Sequence, residues 1–80
     1  MSVWKVLGFN RIYLYTPRSY SPSIAFRDFD DAVGHLLEDE GYESLSAYSQ
    51  ALGNWWHEFD LERKYISIDD GARIEEIELR

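Results

Sequence analysis

The sequence predicts an α+β fold, in which a small antiparallel sheet of N-terminal strands and a C-terminal hairpin packs against two amphipathic helices. Three observations carry this. Residues 29 to 59 place their apolar side chains on a period near 3.6, while both flanks alternate on a period near 2. Asp69-Asp70-Gly71 separates two isoleucine-rich runs as a tight-turn signal. At 80 residues the chain has room for one domain, read as spanning 1–80, with a core too small to enclose a deep substrate cleft.

The elements follow in order. Val3 to Leu7 and Arg11 to Thr16 read as strands separated by Gly8-Phe9-Asn10, and Ile24 to Phe26 returns after the Pro-bounded loop Thr16 to Ser23. Asp28 reads as an N-cap, followed by Phe29, Ala32, Val33, Leu36 and Leu37 at helical spacing, with Gly41 as the stop. Glu40 falls on the apolar azimuth of this helix, so its end is expected by Asp39. A second helix opens near Ser44 and carries Leu45, Tyr48, Leu52, Trp55, Trp56 and Phe59 on one stripe, which places both tryptophans in the core. Gly53, in the middle of that helix, suggests a close backbone contact. Lys64 to Ile68 and Ala72 to Leu79 form the hairpin, with a bulge expected where alternation breaks between Ile74 and Ile77.

Charge is sorted along the chain. The first 27 residues carry Lys5, Arg11, Arg18 and Arg27 with no acid, whereas residues 28 to 62 carry ten acids and no Lys or Arg. The formal net charge of −7 comes from this middle block. Such a balance argues against nucleic acid or anionic lipid as a direct ligand and in favour of a basic partner. The absence of cysteine excludes disulfides, thiolate metal sites and Cys nucleophiles, and suits a reducing cytoplasm. No apolar run is long enough to span a membrane.

Catalytic signatures are missing. There is no His-Glu-x-x-His, no Gly-x-Ser-x-Gly, no Walker loop and no Gly-x-Gly-x-x-Gly, so a non-enzymatic protein is expected, with no cofactor and no resident metal. Asp28, Asp30 and Asp31, or Asp69 and Asp70, offer at most weak cation contacts. The two histidines, His35 and His57, lack the partners of a catalytic group.

The strongest functional signal is the acidic helical face. Asp30, Asp31, Glu38, Asp39 and Glu40 lie on the first helix, with Glu43 and Glu58 nearby. Acids at a helix C-terminus oppose the macrodipole, at about 0.3 to 1 kcal/mol each. Stability alone would place bases there. Asp28 to Glu40 spans about 18 Å of helix and holds six carboxylates, a spacing close to the 3.4 Å between phosphates on one DNA strand.

In size, lack of cysteine, lack of catalytic motif and base-free acidic block, the chain resembles the phage-encoded anti-CRISPR proteins and, more loosely, the anti-restriction DNA mimics. The resemblance implies a stoichiometric inhibitor in the host bacterial cytoplasm. Its acidic face would occupy the basic DNA-binding surface of a defence complex such as a CRISPR effector. Partner-binding residues are then expected at Asp30, Asp31, Glu38, Asp39, Glu40, Glu43 and Glu58, with Arg18, Tyr20, Tyr42 and Trp56 as anchors and the basic strands turned away. An alternative stays open: an antitoxin-like, immunity-type or adaptor protein that binds one partner through the neutral face of the second helix (Ser46, Ala47, Gln50, Gly53, Asn54 and His57) and through outward sheet tyrosines. A homodimer through an exposed sheet edge or through that small-residue helix face is a third reading.

Overall fold

The structure is a computed structural model that describes residues 11–19 and 22–78. It contains a five-stranded antiparallel sheet and two helices, an α+β architecture. The elements are β1 (Arg11–Thr16), β2 (Ile24–Phe26), α1 (Phe29–Glu40), α2 (Leu45–Leu52), β3 (His57–Asp60), β4 (Tyr65–Ile68) and β5 (Arg73–Glu78). The strand order is β2-β1-β5-β4-β3, so the N-terminal strand joins the C-terminal hairpin in the middle of the sheet and β2 and β3 form its edges. The expected strand Val3 to Leu7 and the end of the hairpin at Leu79 lie outside the described residues.

Register decides which side chains meet the helices. Tyr15 pairs with Ile74 and Ile24, Ile74 pairs with Ile66, and Ile66 pairs with Phe59, which forms one continuous row across the sheet. Tyr15, Ile66, Ile74 and Leu36 of α1 are fully buried, and Phe29, Ala32 and Tyr48 close the core from the helix side. Truncating Leu36 to alanine would cost about 2 to 5 kcal/mol. The tyrosines of β1 therefore face inward, at 7% exposure for Tyr13 and 0% for Tyr15. Outward tyrosines on this strand do not exist, and Ile12 and Leu14 take the opposite face.

The expected bulge in β5 is also absent. Six consecutive residues of β5 pair with six of β1, from Arg11 with Glu78 to Thr16 with Arg73, without a slip. Alternation breaks in the sequence because Ile77 faces outward opposite Ile12, so both faces of the sheet carry apolar side chains.

The first helix follows its sequence signals with one difference. Gly41 takes the left-handed conformation (φ 83°), and its N–H and that of Tyr42 both donate to the Leu37 carbonyl, at 2.8 and 2.9 Å. The helix continues through Glu40, one residue beyond expectation, because Glu40 on the apolar azimuth finds polar partners there. In the second helix Ser44 is the N-cap, its hydroxyl accepting from the Ala47 N–H at 3.1 Å.

The second helix is much shorter than expected. It ends at Leu52, where Gly53 caps it with φ 57°. A Cβ at Gly53 would meet nothing within 4 Å, so its conformation rather than close packing requires glycine. The chain then turns and re-enters the sheet as β3. His57 and Phe59 face inward against Ile68 and Ile66, and Glu58 and Asp60 face outward. Phe59 remains in the core as a strand residue, but Trp55 and Trp56 are left in the connection, 54% and 55% exposed.

Candidate functional site

The acids of α1, together with Glu43 and Glu76, divide into two sets. The first set serves the fold. Tyr15 donates to Asp39 Oδ2 at 2.8 Å, Tyr48 donates to Glu40 Oε1 at 2.9 Å, and Tyr13 donates to Glu76 Oε2 at 3.0 Å. Glu40 also meets Arg18, with Nε and Oε2 3.8 Å apart, and only 10% of its side chain is exposed. Burial, then the hydrogen bond to a carboxylate, then that carboxylate's charge, push the hydroxyls of Tyr15 and Tyr48 well above the usual tyrosine range. Tyr13 moves the same way for the same leading causes.

The second set is unengaged. Asp30, Asp31 and Glu38 are exposed on α1, and Glu43 is exposed just beyond it. Among the described residues no hydrogen bond or ion pair holds them. No base occupies the last turn of α1. The helix thus presents an outer acidic stripe, backed by an inner face on which His35 packs against the rings of Tyr15 and Phe26 and Asp39 and Glu40 meet the tyrosines.

Two further site expectations change. Glu58 lies on the outward face of β3, the side of the sheet opposite the helices, so the fold does not bring it to the α1 stripe. Arg18, expected as an anchor, lies beside the C-terminal end of α1, where it meets Glu40. Tyr20 lies outside the described residues. The neutral face expected on the second helix shrinks to Ser46, Ala47 and Gln50, because Gly53 and Asn54 leave the helix and His57 enters β3.

At the Arg18 end of the sheet the structure shows a site that the helical reading of residues 53 to 59 concealed. The loop carrying Trp55 and Trp56 is tied to the β4–β5 turn from both sides. The Trp55 indole N–H donates to the Asp69 carbonyl at 2.6 Å, and the Asp69 N–H donates to the Trp56 carbonyl at 3.0 Å. His57 holds the loop against α2: its Nδ1–H donates to the Trp55 carbonyl (2.7 Å), and its Nε2 shares a hydrogen bond with Ser49 Oγ (3.1 Å). In the turn itself Asp70 takes the left-handed conformation (φ 56°), and a Cβ on Gly71 would stand 2.9 Å from Ile68 Cγ2. Gly71 is therefore needed for close approach, and the positive φ falls on Asp70.

Two hollows flank this turn. One of about 300 Å³ lies between Trp56, Arg18, Arg73 and the turn; the other, of about 460 Å³, lies between Trp55, Tyr42, Glu40, Arg18 and the turn. Both are open to solvent. Among the described residues no group of three or more His, Asp or Glu side chains is gathered as a metal site, and no helix is long and apolar enough to cross a membrane. Compared with protein-family models, curated proteins and solved structures, the chain matches none.

Proposed function

We propose that the chain is a non-enzymatic inhibitor that occupies a basic, nucleic-acid-binding surface of a partner protein through the outer face of α1, in the manner of the anti-CRISPR and anti-restriction proteins it resembles. The observation that supports this reading is the unengaged carboxylate stripe. Of the six acids from Asp28 to Glu40, two serve internal tyrosines and four face solvent. Those four average about one charge per 4 to 5 Å of helix, against 3.4 Å for phosphates on one DNA strand. Asp30 and Asp31 sit in the first turn, where the macrodipole favours acids, and Glu38 sits in the last turn, where it does not; the whole stripe is favourable beside a cationic surface. The neutral-face alternative has lost its outward β1 tyrosines and half of its helical surface, and no observation favours it.

The test is competition. The immobilised chain is incubated with bacterial lysate at low salt, and the retained proteins are challenged with duplex DNA or raised salt. The expected result is release by both challenges, and loss of retention when Asp30, Asp31 and Glu38 are all changed to Lys. Retention that survives the charge reversal and ignores DNA would remove this reading.

A further inference from the structure

The larger hollow beside the β4–β5 turn combines aromatic walls with three carboxylates. We propose that this hollow receives a single lysine or arginine side chain from a protein partner. The proposal deepens the reading of a basic partner and rests on it only for the sign of the partner's charge.

Aromatic side chains line the hollow beside Leu52 and Ile68, and two of them are fixed. Trp55 stands 54% exposed yet is held by its indole hydrogen bond to the hairpin turn. Tyr42 stacks on Tyr48 with ring centres 4.7 Å apart and planes 15° from parallel, so its position is also set. Aromatic faces attract cations through their quadrupole, and walls already in place spare the ordering cost of binding.

The rim is acidic. Asp69 and Asp70 line the hollow, and no described Lys or Arg pairs with either. Glu40 lies at its inner side. Against these three carboxylates stands one cation, Arg18, whose side chain is 66% exposed and whose Nε is 3.8 Å from Glu40. The chain's own guanidinium thus already sits at the mouth of this hollow beside its carboxylates, loosely held. The surplus of two negative charges selects a cation over an anion. At about 460 Å³ the space falls in the range of sites that enclose a small organic group.

The test uses amino-acid amides on the full ¹⁵N-labelled chain. Nα-acetyl-arginine amide and Nα-acetyl-lysine amide are titrated beside their neutral counterparts, the citrulline and norleucine amides. The expected result is a saturable shift of the Trp55 indole N–H and the Gly71 amide with the cations, in the millimolar range expected of a single side chain, and no such shift with the neutral probes. Asp70→Asn, which keeps the left-handed turn accessible, should weaken the cations by about 5-fold, the effect of one screened ion pair at 4 Å. Arg18→Gln, an exposed change that leaves the core intact, should tighten them by a similar factor. Equal shifts from the neutral probes, or no saturable shift in wild type and Arg18→Gln, would overturn the proposal. The Asp30, Asp31, Glu38 triple reversal should bind the amides as wild type does. Loss of cation binding with DNA-sensitive retention intact removes the hollow alone; the converse removes the α1 reading alone.

Discussion

The C-terminal end of α1 and its outer face carry the same residue types within the same twelve residues, but they do opposite work. At the end, Asp39 and Glu40 accept hydrogen bonds from Tyr15 and Tyr48, whose rings are 0% and 3% exposed. On the outer face, Asp30, Asp31 and Glu38 meet no described partner. A carboxylate at a helix C-terminus opposes the macrodipole, and from sequence that cost points to a binding partner outside the molecule. For Asp39 and Glu40 the compensation is internal. The difference teaches that a costly acid marks a function only after its intramolecular partners have been counted; in the outer set Glu38, in the last turn, carries that cost without a partner, while Asp30 and Asp31 lie in the first turn, where the macrodipole favours them.

The comparison breaks most sharply at Glu40. Glu40→Ala removes the acceptor of a buried tyrosine hydroxyl and the partner of Arg18, and should destabilise the fold by about 1 to 3 kcal/mol, the cost of an unsatisfied buried donor. Denaturant unfolding measures it. Adding Tyr48→Phe should recover part of that loss, because the orphaned hydroxyl is then gone. If Glu40→Ala were no more damaging than Asp31→Ala, the division of the acids into two sets would be wrong.

The tyrosines supply a second probe with a definite sign. An unfolded tyrosine releases its proton near the ordinary value of 10.0, while folded Tyr15 and Tyr48 retain theirs to higher pH, through burial first and their carboxylate acceptors second. The folded state then binds more protons above pH 10, so this contribution to stability is complete below about pH 10 and is lost as pH rises toward the raised values. Thermal melts should fall steeply in that window. Tyrosinate absorbance from Tyr15 and Tyr48 should appear only as the structure is lost. A single phase near the ordinary value would contradict the buried pairs.

The outer face predicts the reverse pattern, a large effect on binding and a small one on stability. Lys at positions 30 and 31 opposes the macrodipole at the N-terminal end, and Lys at 38 favours it at the other, so two unfavourable terms stand against one favourable term and the triple reversal should lose only about 0.3 to 1 kcal/mol. Partner retention should nevertheless be lost, and for the wild type it should fall steeply between about 50 and 200 mM salt.

Much of this division was legible in the residues, and what was not has physical causes. The α1 pattern of Phe29, Ala32, Leu36 and the Gly41 stop is long and capped, so its period is unambiguous. Residues 55 to 59 are not. Trp55, Trp56 and Phe59 extend the helical stripe of α2, yet His57 and Phe59 alternate equally well with Glu58 and Asp60 on the strand period. Five residues cannot separate the two periods. The signal that decides is Gly53-Asn54, a stop that the apolar stripe outweighed, and the left-handed Gly53 turns the chain so that both tryptophans leave the core. The tyrosine acceptors were illegible for another reason. Tyr15 and Asp39 are 24 residues apart, and only the packing of α1 on β1 brings them together.

The finest test uses neighbouring residues in the last turn of α1. Glu38→Lys replaces an unpartnered acid by a base where the helix dipole is negative, and should raise stability by about 0.3 to 1 kcal/mol, roughly 1 to 8 °C in Tm for a domain of this size. Asp39→Lys gains the same dipole term one residue later but takes the acceptor from Tyr15, a loss of about 1 to 3 kcal/mol. The net effect should be destabilising. Identical substitutions at adjacent positions should therefore move Tm in opposite directions, by azimuth alone. If both raised Tm, the Tyr15 pair would be dispensable and Asp39 would join the outer stripe; if both lowered it, Glu38 would have a structural partner and the stripe would lose its C-terminal member.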